Sequence, residues 1–123
     1  MARIFVVEDE PSLTLLYRTN LERKGHHVTC FHNGREAFNN LDTERPDLII
    51  LDIQMAAGDG LEMMKKMLDQ RSGIPVIINS AYSHYKNDFI SWAAEAYVVK
   101  SSDLSELNDA VDNVLGRFAP LDA

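Results

Sequence analysis

Leu48-Ile49-Ile50-Leu51-Asp52 sets four apolar residues in a row and closes them with an acid. The run does not alternate, so a strand formed from it is buried on both faces, as in a parallel sheet covered by helices on either side. The same pattern recurs on both sides of it. Ile4-Phe5-Val6-Val7 runs into Glu8-Asp9-Glu10, and Val28-Thr29-Cys30-Phe31 leads to Asn33-Gly34. Val76-Ile77-Ile78 runs into Asn79-Ser80, and Tyr97-Val98-Val99 into Lys100.

Helical spacing fills the gaps. Pro11 suits a first helical position, because its missing N–H has no partner there in any case. Leu13, Leu16, Tyr17 and Leu21 follow at helical intervals, and Gly25 stops the helix. Asn33 is placed to cap a helix carrying Ala37, Phe38 and Leu41, and Pro46 ends the polar loop beyond it. A loop from Gln54 to Gly60 precedes a helix with Leu61, Met64 and Leu68. Met64 reads as core; Met55, Met63 and Met67 read as partly exposed. Tyr82 to Ala94 reads as a helix. Ser102 or Asp103 caps a last one through Leu104, Leu107, Val111, Val114 and Leu115, closed by Gly116. Strands alternating with helices predict an α/β fold: a flavodoxin-like (βα)5 doubly wound parallel sheet, strand order 2-1-3-4-5.

The 123 residues suffice for one domain, expected over residues 1–118 with a short tail at 119–123. The single cysteine, Cys30, permits no internal disulfide and reads as a small core residue. The histidines, His84 among them, lack metal-ligand spacing with it and read as surface residues. No basic-then-apolar leader and no apolar run of about 18 residues is present, so a cytoplasmic location without membrane insertion is expected. A formal net charge of -7 disfavours direct DNA binding, which relies on Lys and Arg to replace counterions. It suits a protein that gathers divalent cations.

The chemistry follows from where the polar residues fall. In an open parallel sheet all the strand C-termini share one edge, and ligands bind there where the strand order reverses. In the order 2-1-3-4-5 that reversal lies between the strands ending in Glu8-Asp9 and in Asp52. Crowded carboxylates repel and call for a cation, and Mg2+ takes oxygen ligands from one or two of them. A carboxylate nucleophile (Asp52), a hydroxyl (Ser80) and an ammonium (Lys100) complete the parts for phosphoryl transfer. Each residue has a plainer role open to it. Glu8-Asp9-Glu10 could serve a helix N-terminus, Asp52 a cap and Ser80 a turn. Lys100 could be a solvated strand end, and Tyr97 a half-buried strand aromatic.

Taken together, Val6-Val7-Glu8-Asp9-Glu10, Leu51-Asp52-Ile53-Gln54-Met55 and Tyr97-Val98-Val99-Lys100 resemble the receiver domains of bacterial two-component response regulators. The resemblance implies that Glu8, Asp9, Asp52 and the backbone carbonyl of Gln54 hold Mg2+, and that Asp52 is the phosphoacceptor. It implies that Ser80 and Lys100 bond the phosphoryl group and that Tyr97 is the aromatic switch. The implied donor is a phosphohistidine on a sensor histidine kinase or phosphotransfer protein. The implied output is a change in the surface that binds a downstream protein target, for which Tyr85 and Trp92 are the candidate contacts.

The chain departs from that pattern in three places. Ala56 stands where the family usually has proline. Ser101 stands where a proline, with a cis peptide before it, usually follows the lysine. Ala93, after Trp92, stands where glycine is common. Three other functions stay open: a phosphorelay intermediate that passes the phosphoryl on to a histidine, a receiver-like binding module that is not phosphorylated, and a flavodoxin-like enzyme. Against the enzyme, Gln54 replaces the second aspartate that a haloacid-dehalogenase-like phosphatase usually has. Glu8-Asp9-Glu10 would also repel a nucleotide phosphate. A phosphoacceptor rather than an enzyme is therefore expected.

Overall fold

In the computed structural model, residues 2–55, 60–70, 73–81 and 93–118 are described. The non-alternating apolar runs form strands β1 (Arg3–Val7), β2 (His27–Phe31), β3 (Leu48–Leu51), β4 (Val76–Ser80) and β5 (Ala96–Val99). They pair in parallel in the order β2-β1-β3-β4-β5. Helices α1 (Pro11–Arg23), α2 (Gly34–Asn39), α3 (Leu41–Glu44), α4 (Gly60–Gln70) and α5 (Ser105–Phe118) connect or follow them.

The period of 2 sorts each strand's side chains between two cores. Ile4, Val6, Leu48, Ile50, Ile77 and Val98 face α1 and α5, where they meet Tyr17, Leu21, Leu107, Val111 and Val114. Phe5, Val7, Ile49, Leu51, Val76 and Ile78 face the other way, onto Ala37, Leu41, Met63, Met64 and Met67. Both faces are dry, which is why the strands read as continuous apolar runs. Side chains of Asn20 and Asn108, 2.7 Å apart, tie α1 to α5.

The punctuation works largely as the sequence predicts. The Asn33 side chain accepts from Glu36 N–H at 2.8 Å and caps α2. Gly25, at φ 92°, ends α1. Its N–H reaches Glu22 O and the next N–H, from His26, reaches Leu21 O, the paired bonds of a Schellman motif.

Five expectations need correction. The helix after Asn33 is broken at Asn40, giving α2 and the single turn α3. On α1, Leu16 is 41% exposed while Thr14 is buried, because the inward stripe runs through Thr14, Tyr17 and Leu21. On α4 the stripe is Met63, Met64 and Met67; these and Met55 are all buried rather than partly exposed. Gly116 does not close α5, which continues to Phe118; the Asp103 carboxylate accepts Ser105 N–H at its start. Cys30 is only half-buried, packed at the margin of the α1/α5 core, and burial pushes its thiol pKa up. The Tyr82–Ala94 helix falls mostly outside the described residues.

Candidate functional site

The parallel ladder carries on one residue beyond three strands and fixes the residues that follow. Glu8 N–H donates to Phe31 O at 3.0 Å, Asp52 N–H to Val7 O at 3.0 Å, and Lys100 N–H to Ser80 O at 2.7 Å. Backbone pairing therefore brings Glu8, Asp52 and Lys100 to one edge across gaps of tens of residues. Glu8 is 2% exposed, Asp52 4% and Ser80, the last residue of β4, fully buried.

Carboxylate oxygens of Glu8, Asp9 and Asp52 all lie within 4.8 Å of one another. The Lys100 ammonium sits between two of these acids, 2.7 Å from Glu8 Oε1 and 2.9 Å from Asp52 Oδ2. The other oxygen of each acid takes a main-chain donor. Asp52 Oδ1 accepts Gln54 N–H at 2.8 Å, and Glu8 Oε2 accepts Glu10 N–H at 3.2 Å.

Burial pushes the Glu8 carboxyl pKa up; Lys100 pulls it down and the Asp52 charge adds to the rise. Burial alone would lower the Lys100 pKa, but hydrogen bonds and charge from Glu8 and Asp52 outweigh it and hold the ammonium well above its ordinary value. One ammonium against three carboxylates leaves the site electronegative. An all-oxygen donor set with two buried acids fits a hard divalent cation such as Mg2+.

Other sequence-derived expectations resolve as follows. Tyr97 pairs with Ile78 in the sheet and is partly buried against the α2/α4 core. Gln54 is exposed. The Lys100-Ser101 peptide is trans, since no cis bond occurs among the described residues. Lys100 reaches both acids nonetheless. Ala93 is exposed. Tyr85, Trp92, His84 and Ala56 lie outside the described residues.

Gly60 and Thr14 take roles at the site that the sequence reading did not assign. Gly60 opens α4 directly against the main chain of the third strand's exit: a Cβ there would lie 2.6 Å from Asp52 O and 2.6 Å from Ile53 Cα. Thr14 is buried with its hydroxyl on carbonyls of the acidic loop. His32 is exposed, as the sequence predicts, with its Nδ1 3.4 Å from Glu8 O. His26 too is engaged, its Nδ1 accepting Ala2 N–H at 3.3 Å.

Residues 4–112 match the response regulator receiver domain. The chain belongs to that family. The response regulator protein TrrA of Thermotoga maritima, solved in complex with Mg2+-BeF, is 39% identical; the likeness covers 94% of this chain and 100% of that one, with a TM-score of 0.88. The same protein, solved in complex with histidine kinase ThkA, superposes with a TM-score of 0.85 over 94% of this chain and 99% of that one.

Among curated relatives, alkaline phosphatase synthesis transcriptional regulatory protein PhoP of Bacillus subtilis is 33% identical over 94% of this chain. This receiver spans 49% of PhoP, and 25% of regulatory protein AtoC of Escherichia coli. Sporulation initiation phosphotransferase F of Bacillus subtilis is 31% identical over 92% of this chain and 93% of its own length.

Proposed function

We propose that this receiver accepts a phosphoryl group on Asp52 from a phosphohistidine of a sensor histidine kinase or phosphotransfer protein. One observation carries the reading. The Asp52 carboxylate lies at the switch point of the sheet, clustered with Glu8 and Asp9 and bonded to Lys100. A carboxylate oxygen of Asp52 attacks phosphorus, the P–N bond to the donor imidazole breaks, and an acyl phosphate forms.

Glu8, Asp9, Asp52 and the Gln54 carbonyl would hold Mg2+, which neutralises charge on the transferring group when bound. Lys100, already in reach of Asp52 Oδ2, stays to pair with the new phosphoryl oxygens. Ser80 supplies its hydroxyl to the same group. The added charge, about -1.5 to -2 at neutral pH, pulls Ser80 toward it, Tyr97 turns inward, and the target-binding surface that Tyr85 and Trp92 would serve is reshaped.

We further propose that residues 1–118 act as the receiver unit with 119–123 as a tail, in the cytoplasm, binding a protein target rather than DNA or membrane. No helix among the described residues is long and apolar enough to cross a membrane. The chain's own chemistry is that of a phosphoacceptor rather than an enzyme. A relay role, passing the phosphoryl on to another histidine, is the second reading. The similarity to sporulation initiation phosphotransferase F over nearly all of that protein's length favours it.

Intact-protein mass after incubation with Mg2+ and a small phosphodonor tests the first step. One phosphoryl gain that requires Mg2+ and vanishes in Asp52→Asn is expected. No gain from that donor or from a phosphohistidine protein, with the fold intact, rejects the reading. Transfer from phosphorylated chain to a histidine phosphotransfer protein separates relay from adaptor.

A further inference from the structure

Thr14 belongs to the first turns of α1, yet its hydroxyl reaches back out of the helix. Oγ1 lies 3.1 Å from Glu10 O and 3.3 Å from Glu8 O, and the residue is 8% exposed. Bonding to Glu10, four residues back, is what a helical threonine commonly does. Bonding to Glu8, six residues back, is not, because that carbonyl belongs to the loop leaving β1. The two carbonyls lie on either side of Asp9. One hydroxyl proton shared between them therefore fixes the main chain on both sides of a single acid. Pro11, which starts the helix, has no N–H to offer, and the Glu10 side chain makes no capping bond.

We propose that Thr14 is a positioning residue for the divalent cation: its hydroxyl holds the loop so that the Asp9 carboxylate stays beside those of Glu8 and Asp52. The inference rests on the Mg2+ reading above. It does not make Thr14 a ligand. The hydroxyl acts on the backbone, and the carboxylate follows. The exposed His32 lies near the same carbonyl from the β2 side, with Nδ1 3.4 Å from Glu8 O.

The retained main-chain bond makes Thr14→Val a usable probe. Valine keeps the volume. After the change Glu10 O still accepts the residue-14 N–H, now 3.0 Å away, and the Glu8 carbonyl loses only the 3.3 Å hydroxyl contact under test. Thr14→Ser restores the hydroxyl on a smaller side chain.

The test is a titration of the full chain with MgCl2, followed by amide resonances in two-dimensional NMR, which report affinity and fold in one experiment. Loss of a residue that orients a metal ligand typically weakens binding roughly 10–100-fold. Thr14→Val should therefore bind about tenfold more weakly than wild type, with dispersed, native-like resonances, and Thr14→Ser within about twofold of wild type. Equal Mg2+ affinity in wild type and Thr14→Val overturns the inference and leaves the phosphoacceptor reading standing. So does a Thr14→Ser variant as weak as Thr14→Val. A wild type that binds no Mg2+ overturns the cation reading and this inference together.

Discussion

Lys100 holds together two buried acids that would otherwise repel. Its ammonium is 2.7 Å from Glu8 Oε1 and 2.9 Å from Asp52 Oδ2, and both acids are almost fully buried. Removing one partner of a buried ion pair commonly costs about 3–5 kcal/mol, because a charge is left uncompensated. Lys100→Met should therefore lower unfolding stability by roughly 3 kcal/mol at neutral pH. The deficit should shrink in acid, where the stranded carboxyls can protonate. Denaturant melts across pH check this; an unchanged midpoint at pH 7 would show that the ammonium contributes nothing net.

His26 makes the opposite kind of prediction. Burial lowers its pKa below the ordinary value, and its Nδ1 accepts an N–H, which requires the neutral ring. As pH falls below about 6.5 the unfolded chain takes up a proton that the folded chain resists. Stability from this group is thus present above pH 6.5 and lost as pH falls toward the folded pKa. His26→Gln should flatten that part of the stability-pH curve relative to wild type, and parallel curves for the two proteins would refute it. At this scale the ionic members of the site were legible because each directly follows an apolar run. Thr14 and His32 were not, because their partners are main-chain carbonyls, which leave no mark on the pattern of side chains.

Among the helices, two glycines separate close packing from mere tolerance. At Gly60 a methyl group would meet the main chain of Asp52 and Ile53 at 2.6 Å, and backbone cannot swing aside. Gly60→Ala should cost about 1–3 kcal/mol and slow phosphoryl uptake, since the strain falls on the segment that aims Asp52. At Gly116, exposed in α5, an added Cβ meets nothing within 4 Å. Gly116→Ala should therefore stabilise by about 0.5–1 kcal/mol without touching uptake, as glycine in a helix interior costs conformational entropy. Thermal melts with phosphorylation assays decide both; equal effects at the two sites would deny the contact at Gly60.

The strands were legible because burial on both faces demands uninterrupted apolar runs. The helices were less so. Met63 and Met67 flank the residue read as core and could have faced either way by spacing alone; only packing against the sheet sets the phase. The break at Asn40 left no signal in the sequence, and α5 runs past Gly116 because that glycine does not take the positive φ that ends α1 at Gly25.

Across the whole molecule, the sheet order brings the ends of β1, β3 and β5 into one anionic cluster, and the -7 net charge adds to its field. Convergence at one edge was legible, because alternating strands and helices imply a parallel sheet whose strand C-termini share that edge. How closely the acids crowd was not, since that depends on ladder bonds running one residue past the strands. One ammonium does not balance three carboxylates within 4.8 Å, so their remaining repulsion opposes folding, whereas a divalent cation bound only by the folded chain favours it. The gain follows RT ln(1 + [Mg2+]/Kd), about 2.7 kcal/mol at a hundredfold excess over Kd. Wild type should thus melt higher in Mg2+ and return to its baseline with EDTA. Asp9→Ala removes one of the three like charges from a partly exposed position. It should be at least as stable as wild type without cation, yet gain little from Mg2+. Melting both proteins over a Mg2+ series gives the answer: two parallel rises would mean that the cation binds elsewhere, while a rise confined to wild type ties the stability of the whole fold to this one pocket.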